Sequence, residues 1–295
     1  MDYQPLIVVV DDNHRILENF QDASAGQNVN IEVFETWDLA QQYLESIEGV
    51  DGLILDAKGK LTADRQESEA HLQQALKWVS KQEGKNRIIP YAIHTAYYDD
   101  LDTFSEELAA GKMFKKRPNS EVQVLDFLKT EIENTPKLKI IKKYPLAFVA
   151  INYGFIQKRY ENQIVEMLSC LENGDYKKKN LNVIRDVLES IFLTLINKKC
   201  IPDTFINGRG NPNLEWCVRF TEGRPTNDAS GTEHRIKFNV PTYISSSIRY
   251  IKERTSEYSH VSDTDTCKTQ FVSACFSMME VLEWFPSFIK ENFEE

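Results

Sequence analysis

Leu6-Ile7-Val8-Val9-Val10-Asp11-Asp12 is the stretch that decides the fold: an apolar β-type run that stops abruptly at two adjacent acids. A second apolar run, Gly52-Leu53-Ile54-Leu55, ends at Asp56. A third, Pro90-Tyr91-Ala92-Ile93-His94, ends at Thr95, and a fourth, Lys112-Met113-Phe114-Lys115, ends at Lys116 with Pro118 close behind. Parallel α/β sheets gather their strand ends at one edge, where such folds bind ligands. That edge would hold three carboxylates, a hydroxyl and an ammonium. Hard oxygen donors favour Mg²⁺. A hydroxyl and an ammonium suit the oxygens of a phosphoryl group carried on one of the carboxylates.

The order of these residues resembles the receiver domain of two-component response regulators, over roughly residues 1–135. The resemblance implies a doubly wound, five-stranded parallel sheet of the flavodoxin-like α/β type. It implies that Asp11 and Asp12 hold Mg²⁺, that Asp56 binds metal and accepts phosphate from a sensor histidine kinase or phosphotransfer protein, and that Thr95 and Lys116 read the phosphorylated state. The chain departs from the family in three places. No proline follows the phosphoacceptor in Asp56-Ala57-Lys58-Gly59-Lys60-Leu61. Lys58 occupies the position whose backbone carbonyl helps bind the metal. Arg117 separates Lys116 from Pro118, so Lys115 and Arg117 stay open as alternatives for the switch base, with Lys116 favoured because Met113-Phe114 then matches the apolar pair before the lysine. The spacing from Asp56 to Thr95 is also longer than usual in the family.

A chain of 295 residues has room for two domains, and 41% hydrophobic residues support ordinary cores. No apolar stretch approaches a membrane span, and Met1-Asp2-Tyr3-Gln4-Pro5 lacks the basic and apolar regions of a secretory signal. Five scattered cysteines suggest reduced thiols rather than a disulfide framework or zinc site. A cytoplasmic protein fits. A net charge of −10 argues against wholesale nucleic-acid binding, and the basic runs Lys137–Lys143 and Lys177-Lys178-Lys179 read as solvated connections.

Strand–helix alternation places helices near 14–24, 37–48, 67–83, 99–110 and 119–134. Residues 136–145 read as a linker and 146–295 as a mainly α-helical bundle, an output domain. Helices are expected over 146–172, 180–199, 241–258 and 265–284, with a short one after Pro286. Residues 202–240, rich in Gly, Pro, Asn and Asp, read as irregular, with room for one short helix or a hairpin. Phe271, Ala274, Cys275, Met278, Leu282 and Phe285 form an apolar face, part for the bundle core and part for a two-fold contact with a second copy.

No helix-turn-helix, Walker loop or zinc spacing appears in this second region. Its best chemical signal is Arg254 and His260 near a helix end. Their spacing resembles the Arg-x(4–6)-His motif of HEPN helical domains, some of which are dimeric metal-independent ribonucleases. The resemblance implies RNA as substrate, with the imidazole moving a 2′-hydroxyl proton and the guanidinium stabilising charge on phosphate. The competing reading is a solvated helix C-terminus. Outside these motifs, His94 beside Thr95 reads as a surface residue ahead of a modulator of phosphate access, and Tyr97-Tyr98 as part of a binding face or a helix-entry staple. Three readings of the whole chain result: a phosphorylation-dependent regulator acting through an unknown output protein, a phosphorylation-controlled RNase, or a degenerate receiver serving only as an interaction module, against which the intact acidic set argues.

Overall fold

The computed structural model describes residues 3–47, 49–84, 87–97, 112–257 and 268–293. The chain divides into two compact units, Met1–Lys139 and Ile140–Glu295.

The first unit is built on β1 (Leu6–Val10), β2 (Asn30–Phe34), β3 (Gly52–Leu55), β4 (Tyr91–Thr95) and β5 (Met113–Lys115). They form one sheet in the order β2-β1-β3-β4-β5, every pair parallel. The order reverses on either side of β1, so crossovers run to both faces. Helices α1 (His14–Ser24), α2 (Trp37–Ser46), α3 (Ala70–Glu83) and α4 (Ser120–Glu133) supply the cover. The helix expected near 99–110 lies outside the described residues.

Strand side chains alternate between faces, so apolar runs such as Leu6–Val10 bury both sides. Val8, Val10, Leu53, Leu55 and Ile93 pack with Trp37, Ala40 and Leu44 of α2 and Leu72, Ala75 and Val79 of α3. Ile7, Val9, Ile54 and Ala92 pack with Leu17 and Phe20 of α1 and Val124, Leu125, Leu128 and Ile132 of α4. The side chain of Asn13 caps α1 by accepting from the Arg15 N–H at 3.1 Å.

At the opposite edge of the sheet, Asp51 is buried but well satisfied. It accepts from the Tyr3 hydroxyl at 2.6 Å, the Leu6 N–H at 2.9 Å and Lys137 Nζ at 2.9 Å. Burial alone would raise its carboxyl; Lys137, Tyr3 and Leu6 outweigh that and hold it below the ordinary carboxylate range. Residues 136–145, expected as a linker, are helical over Pro136–Lys143 (α5), and the boundary between the units falls inside that helix. Pro136 is preset for a first helical turn, the Thr135 hydroxyl accepts from the Leu138 N–H at 3.3 Å, and Leu138 is buried in the first unit's core.

The second unit is mainly helical. It contains α6 (Val149–Asn152), α7 (Glu161–Asn173), α8 (Asn180–Asn197), α9 (Leu214–Thr221), α10 (Thr242–Glu257) and α11 (Lys268–Phe293). A two-stranded antiparallel ribbon joins β6 (Thr226–Asn227) to β7 (Glu233–His234). Helix α11 packs against α6, α7, α8 and α10 and forms the centre of the unit. The irregular 202–240 region therefore holds both a short helix and a hairpin. Asp228 ties that hairpin together, accepting from Ser230 N at 2.9 Å, Thr232 N at 3.1 Å and His234 Nε2 at 2.9 Å.

Three sequence expectations change here. The helix expected over 146–172 is broken into a 3₁₀ turn at Pro145–Phe148, α6, a 3₁₀ turn at Lys158–Tyr160, and α7. Gly154 at φ +71° ends the early helical stretch. The last helix is continuous through Pro286 instead of stopping before it. Proline inside a helix costs about 3 kcal/mol; burial of Phe285, Phe288 and Ile289 around it offsets that. Finally, Phe271, Ala274, Cys275, Met278, Leu282 and Phe285 are all fully buried inside this one unit. That face is consumed by the core, and none of it is left for a two-fold contact.

Two stability outcomes are expected. Asp51→Asn should destabilise the first unit by about 2–3 kcal/mol at pH 7, because Lys137 loses its buried partner. A carboxyl depressed on folding stabilises above its ordinary value of 3.8 and loses that contribution as pH falls through its folded value. The gap between wild type and variant, read by urea unfolding, should therefore narrow below pH 4. Gly154→Ala should cost about 1 kcal/mol: the added Cβ meets nothing within 4 Å, so the left-handed backbone alone sets the penalty.

Candidate functional site

The carboxyl ends of β1, β3, β4 and β5 bring Asp11, Asp12, Asp56, Thr95 and Lys116 to one edge of the sheet. The backbone fixes the placement. The Asp56 N–H bonds to the Val10 carbonyl at 3.0 Å, and the Lys116 N–H bonds to the Thr95 carbonyl at 2.9 Å. Asp11 and Asp56 are 2% and 4% exposed and Thr95 is fully buried.

Lys116 Nζ lies 2.7 Å from Asp11 Oδ2 and 2.8 Å from Asp56 Oδ2. It is the counter-charge for both acids. Burial pushes the Asp11 carboxyl up to about 6, against the pull of Lys116 and with the push of Asp56. Burial would lower the Lys116 ammonium, but Asp11 and then Asp56 hold it above its ordinary value. Asp56 Oδ1 accepts from the Ala57 N–H at 2.7 Å, and Asp11 Oδ1 from the Asn13 N–H at 3.0 Å.

Oxygens of Asp11, Asp12 and Asp56 lie within 4.8 Å of one another. Asp12 Oδ2 is buried with no protein donor facing it among the described residues. A buried anionic oxygen left without a donor is unfavourable, and a hard cation satisfies it directly. The residues present therefore fit a divalent ion with oxygen ligands. Beside Asp12 stands another acid, Glu67, whose carboxyl is pushed up by Asp12 through charge and hydrogen bonding.

The remaining side chains shape the rim. Thr95 Oγ1 accepts from the Tyr97 N–H at 3.2 Å. The Lys58 ammonium sits 4.1 Å from the centre of the Tyr97 ring, a cation–π contact, and so is directed at an aromatic face. Tyr98 lies outside the described residues. His94, expected at the surface, is 1% exposed: its Nε2 shares a 2.7 Å hydrogen bond with Ser120 Oγ, and its ring meets Phe20 edge-on at 5.2 Å. Burial, then Lys116, pushes it down to about 4, so it is neutral at physiological pH. Central-strand position, rather than residue type, decides its burial.

Two neighbours escaped sequence reasoning. His71, at the start of α3, is fully buried with Nε2 2.5 Å from the Asp56 carbonyl, and Glu67 reaches Asp12 from the β3–α3 loop. The only sequence signal was the extra length of that segment.

In the second unit, the Arg254 guanidinium lies 5.3 Å from the Tyr250 ring centre. His260 lies outside the described residues, so the expected Arg254–His260 pair has no structural support.

No family model matches the sequence, and no curated protein matches it. Solved structures are similar over the N-terminal part. A response regulator from Thermotoga maritima is 17% identical, with 45% of this chain covering 100% of that one at a TM-score of 0.34. A CheY-like receiver domain from Methylobacillus flagellatus is 14% identical, with 44% covering 100% at 0.33. The phosphorylated cyanobacterial phytochrome response regulator RcpA is 19% identical, with 44% covering 93% at 0.33. The first unit has a receiver-like fold. Its strand order, parallel pairing and flanking helices carry that statement.

Removing the ammonium tests the electrostatics of this edge. Lys116→Met leaves Asp11 and Asp56 buried without a counter-charge and should destabilise the first unit by about 3 kcal/mol at neutral pH. Urea unfolding with and without millimolar Mg²⁺ checks it; the ion should restore part of the loss.

Proposed function

We propose that this chain is a response regulator of a two-component system. Its first unit accepts a phosphoryl group on Asp56, and its helical second unit delivers the output by binding another protein. The observation that carries the reading is the Lys116 ammonium held between Asp11 and Asp56, next to an acidic group with an unsatisfied oxygen. The domain plan is a receiver over 1–135, a connector over 136–145 and an output region over 146–295. The setting that suits a histidine kinase or phosphotransfer partner is the cytoplasm; no described helix is long and apolar enough to cross a membrane.

Asp11, Asp12 and Asp56 would hold Mg²⁺, with the Lys58 carbonyl as a further oxygen. When bound, the ion supplies positive charge for oxygens that gain negative charge during transfer. The chain's own groups do the rest. An Asp56 carboxylate oxygen attacks phosphorus in a phosphohistidine donor; the P–N bond breaks, its electron pair leaves with the imidazole, and an O–P bond forms. Asp56 is suited to this because the Ala57 N–H pins Oδ1 and Lys116 holds Oδ2, fixing the carboxylate plane. Near-complete burial of Asp56 limits hydration of the nucleophile. Lys116 already sits where added phosphoryl oxygens would need a cation. Among the described residues the Thr95 hydroxyl is engaged only as an acceptor, from the Tyr97 N–H, which leaves its proton for a phosphoryl oxygen. Movement of Thr95 and Lys116 toward that group biases the surface beyond β4 and β5, and α4 and α5 continue the chain into the second unit.

Incubation with acetyl phosphate and Mg²⁺ should add one phosphoryl group, read by intact-mass spectrometry under mild conditions. Asp56→Asn should abolish the gain. Label persisting in Asp56→Asn would move the acceptor elsewhere, and an inert wild type would make the unit a phosphorylation-independent interaction module.

A further inference from the structure

β3 ends at Leu55, so the carbonyl of Asp56 lies one residue past the sheet ladder. It takes its hydrogen bond from a side chain instead: His71 Nε2, at the start of α3, is 2.5 Å away. His71 is fully buried and Asp56 nearly so. A buried carbonyl without a donor is unfavourable, so this bond favours one conformation of the turn that follows β3.

The chain between the two residues keeps the imidazole in place. Gly59 and Ser68 exchange backbone hydrogen bonds at 3.3 and 3.0 Å, which closes residues 59–68 into a small loop, and α3 begins just beyond it at Ala70. The carbonyls of Lys60 and Leu61 accept from the Trp37 and Asp38 N–H groups at 3.2 and 3.0 Å, tying the loop to open donors in the first turn of α2. Gly59 itself lies against the ring of His71. A Cβ there would come within 3.0 Å of Nε2 and 3.2 Å of two ring carbons, so the absence of a side chain at 59 admits the ring.

The other end of the same peptide group gives the bond its consequence. The Asp56 carbonyl and the Ala57 N–H belong to one planar unit, so turning the plane moves both. That N–H donates to Asp56 Oδ1 at 2.7 Å. Lys116 Nζ donates to Oδ2 at 2.8 Å. His71 therefore grips the oxygen end of a plane whose nitrogen end grips one of the two carboxylate oxygens. Without it, the plane can turn and the carboxylate loses one of its two fixed contacts.

We propose that His71 is a positioning residue for phosphoryl transfer, setting the orientation of the Asp56 carboxylate through the Asp56–Ala57 peptide plane. The proposal rests on the reading that Asp56 is the phosphoacceptor. A fully buried imidazole offers no surface to a phosphodonor, so its effect falls on the rate at saturating donor and not on the donor concentration required. Misplacing a reacting group by about 1 Å slows a reaction by up to about a hundredfold.

The test is the rate of phosphorylation of the full chain by acetyl phosphate with Mg²⁺, followed by intact mass, in wild type, His71→Met, His71→Gln and Gly59→Ala. Glutamine keeps an N–H donor near the position of Nε2, whereas methionine fills space and donates nothing. Urea unfolding establishes that each variant is assayed folded. His71→Met should be about tenfold slower at saturating donor, with the half-saturating concentration within about twofold of wild type. His71→Gln should stay within about threefold of wild type, and Gly59→Ala, which displaces the ring and deletes no donor, should be slowed by at least about fivefold. A wild-type rate in His71→Met overturns the proposal and leaves Asp56 as acceptor. Equal slowing of His71→Met and His71→Gln also overturns it, because packing and not the donor would then be responsible. Should His71→Met fail to fold, a wild-type rate in Gly59→Ala overturns it in the same way. A wild-type chain that gains no phosphoryl group, or a label that persists in Asp56→Asn, overturns both the proposal and the reading beneath it.

Discussion

One ammonium joins the receiver-like sheet to its candidate chemistry. Asp11 and Asp56 follow β1 and β3, adjacent inner strands of the sheet, and both are nearly buried. Two carboxylates there would repel each other and forgo hydration. Lys116, arriving from the edge strand β5, meets both. β5 is only three residues long and half-buried, so its ladder to β4 is short. The lysine adds a charge-assisted link across β4 to β3 and β1. The lysine that faces the candidate acceptor is thus also what makes the acidic edge tolerable in a folded chain. A phosphoryl group or a cation placed there would have to share that ammonium with Asp11 and Asp56.

Much of this edge could be read from the sequence because it follows from local rules. Continuous apolar runs buried on both faces imply a parallel sheet under helices, and the residue just past each run falls at the carboxyl edge. Choosing among Lys115, Lys116 and Arg117 was harder. The structure places the Lys116 ammonium on Asp11 and Asp56, while Lys115 is the residue in register with Thr95 on β4. The β3–α3 loop was opaque because its anchors are non-local: Lys60 and Leu61 serve a helix more than twenty residues earlier in the chain, and His71 turns back to Asp56. No periodicity records such bonds. His94 was misjudged for a similar reason, since its partners Ser120 and Phe20 lie on other elements.

In the second unit, helix positions were more legible than helix limits. Gly154 ends a stretch whose apolar content continues, while Pro286 fails to end one. The difference lies in what surrounds each. Gly154 sits in open space, so nothing stabilises continuation; Pro286 sits among buried Phe285, Phe288 and Ile289. The same burial explains why the apolar stripe of α11 is an interior feature. Phe276, on the other side of α11, is 57% exposed and was not part of that stripe.

The bond between His71 and Asp56 has a spectroscopic consequence. A carbonyl oxygen can only accept, so His71 must carry its proton on Nε2, and its Nδ1, buried with no donor facing it among the described residues, must be bare. Burial holds the ring below its ordinary protonation range, which favours this one neutral tautomer. Its two nitrogens should then give widely separated ¹⁵N resonances of fixed assignment. Because the protonated one is bonded to the peptide carbonyl of Asp56 itself, the ¹⁵N-enriched imidazole would report from a position one peptide group away from the Asp56 carboxylate.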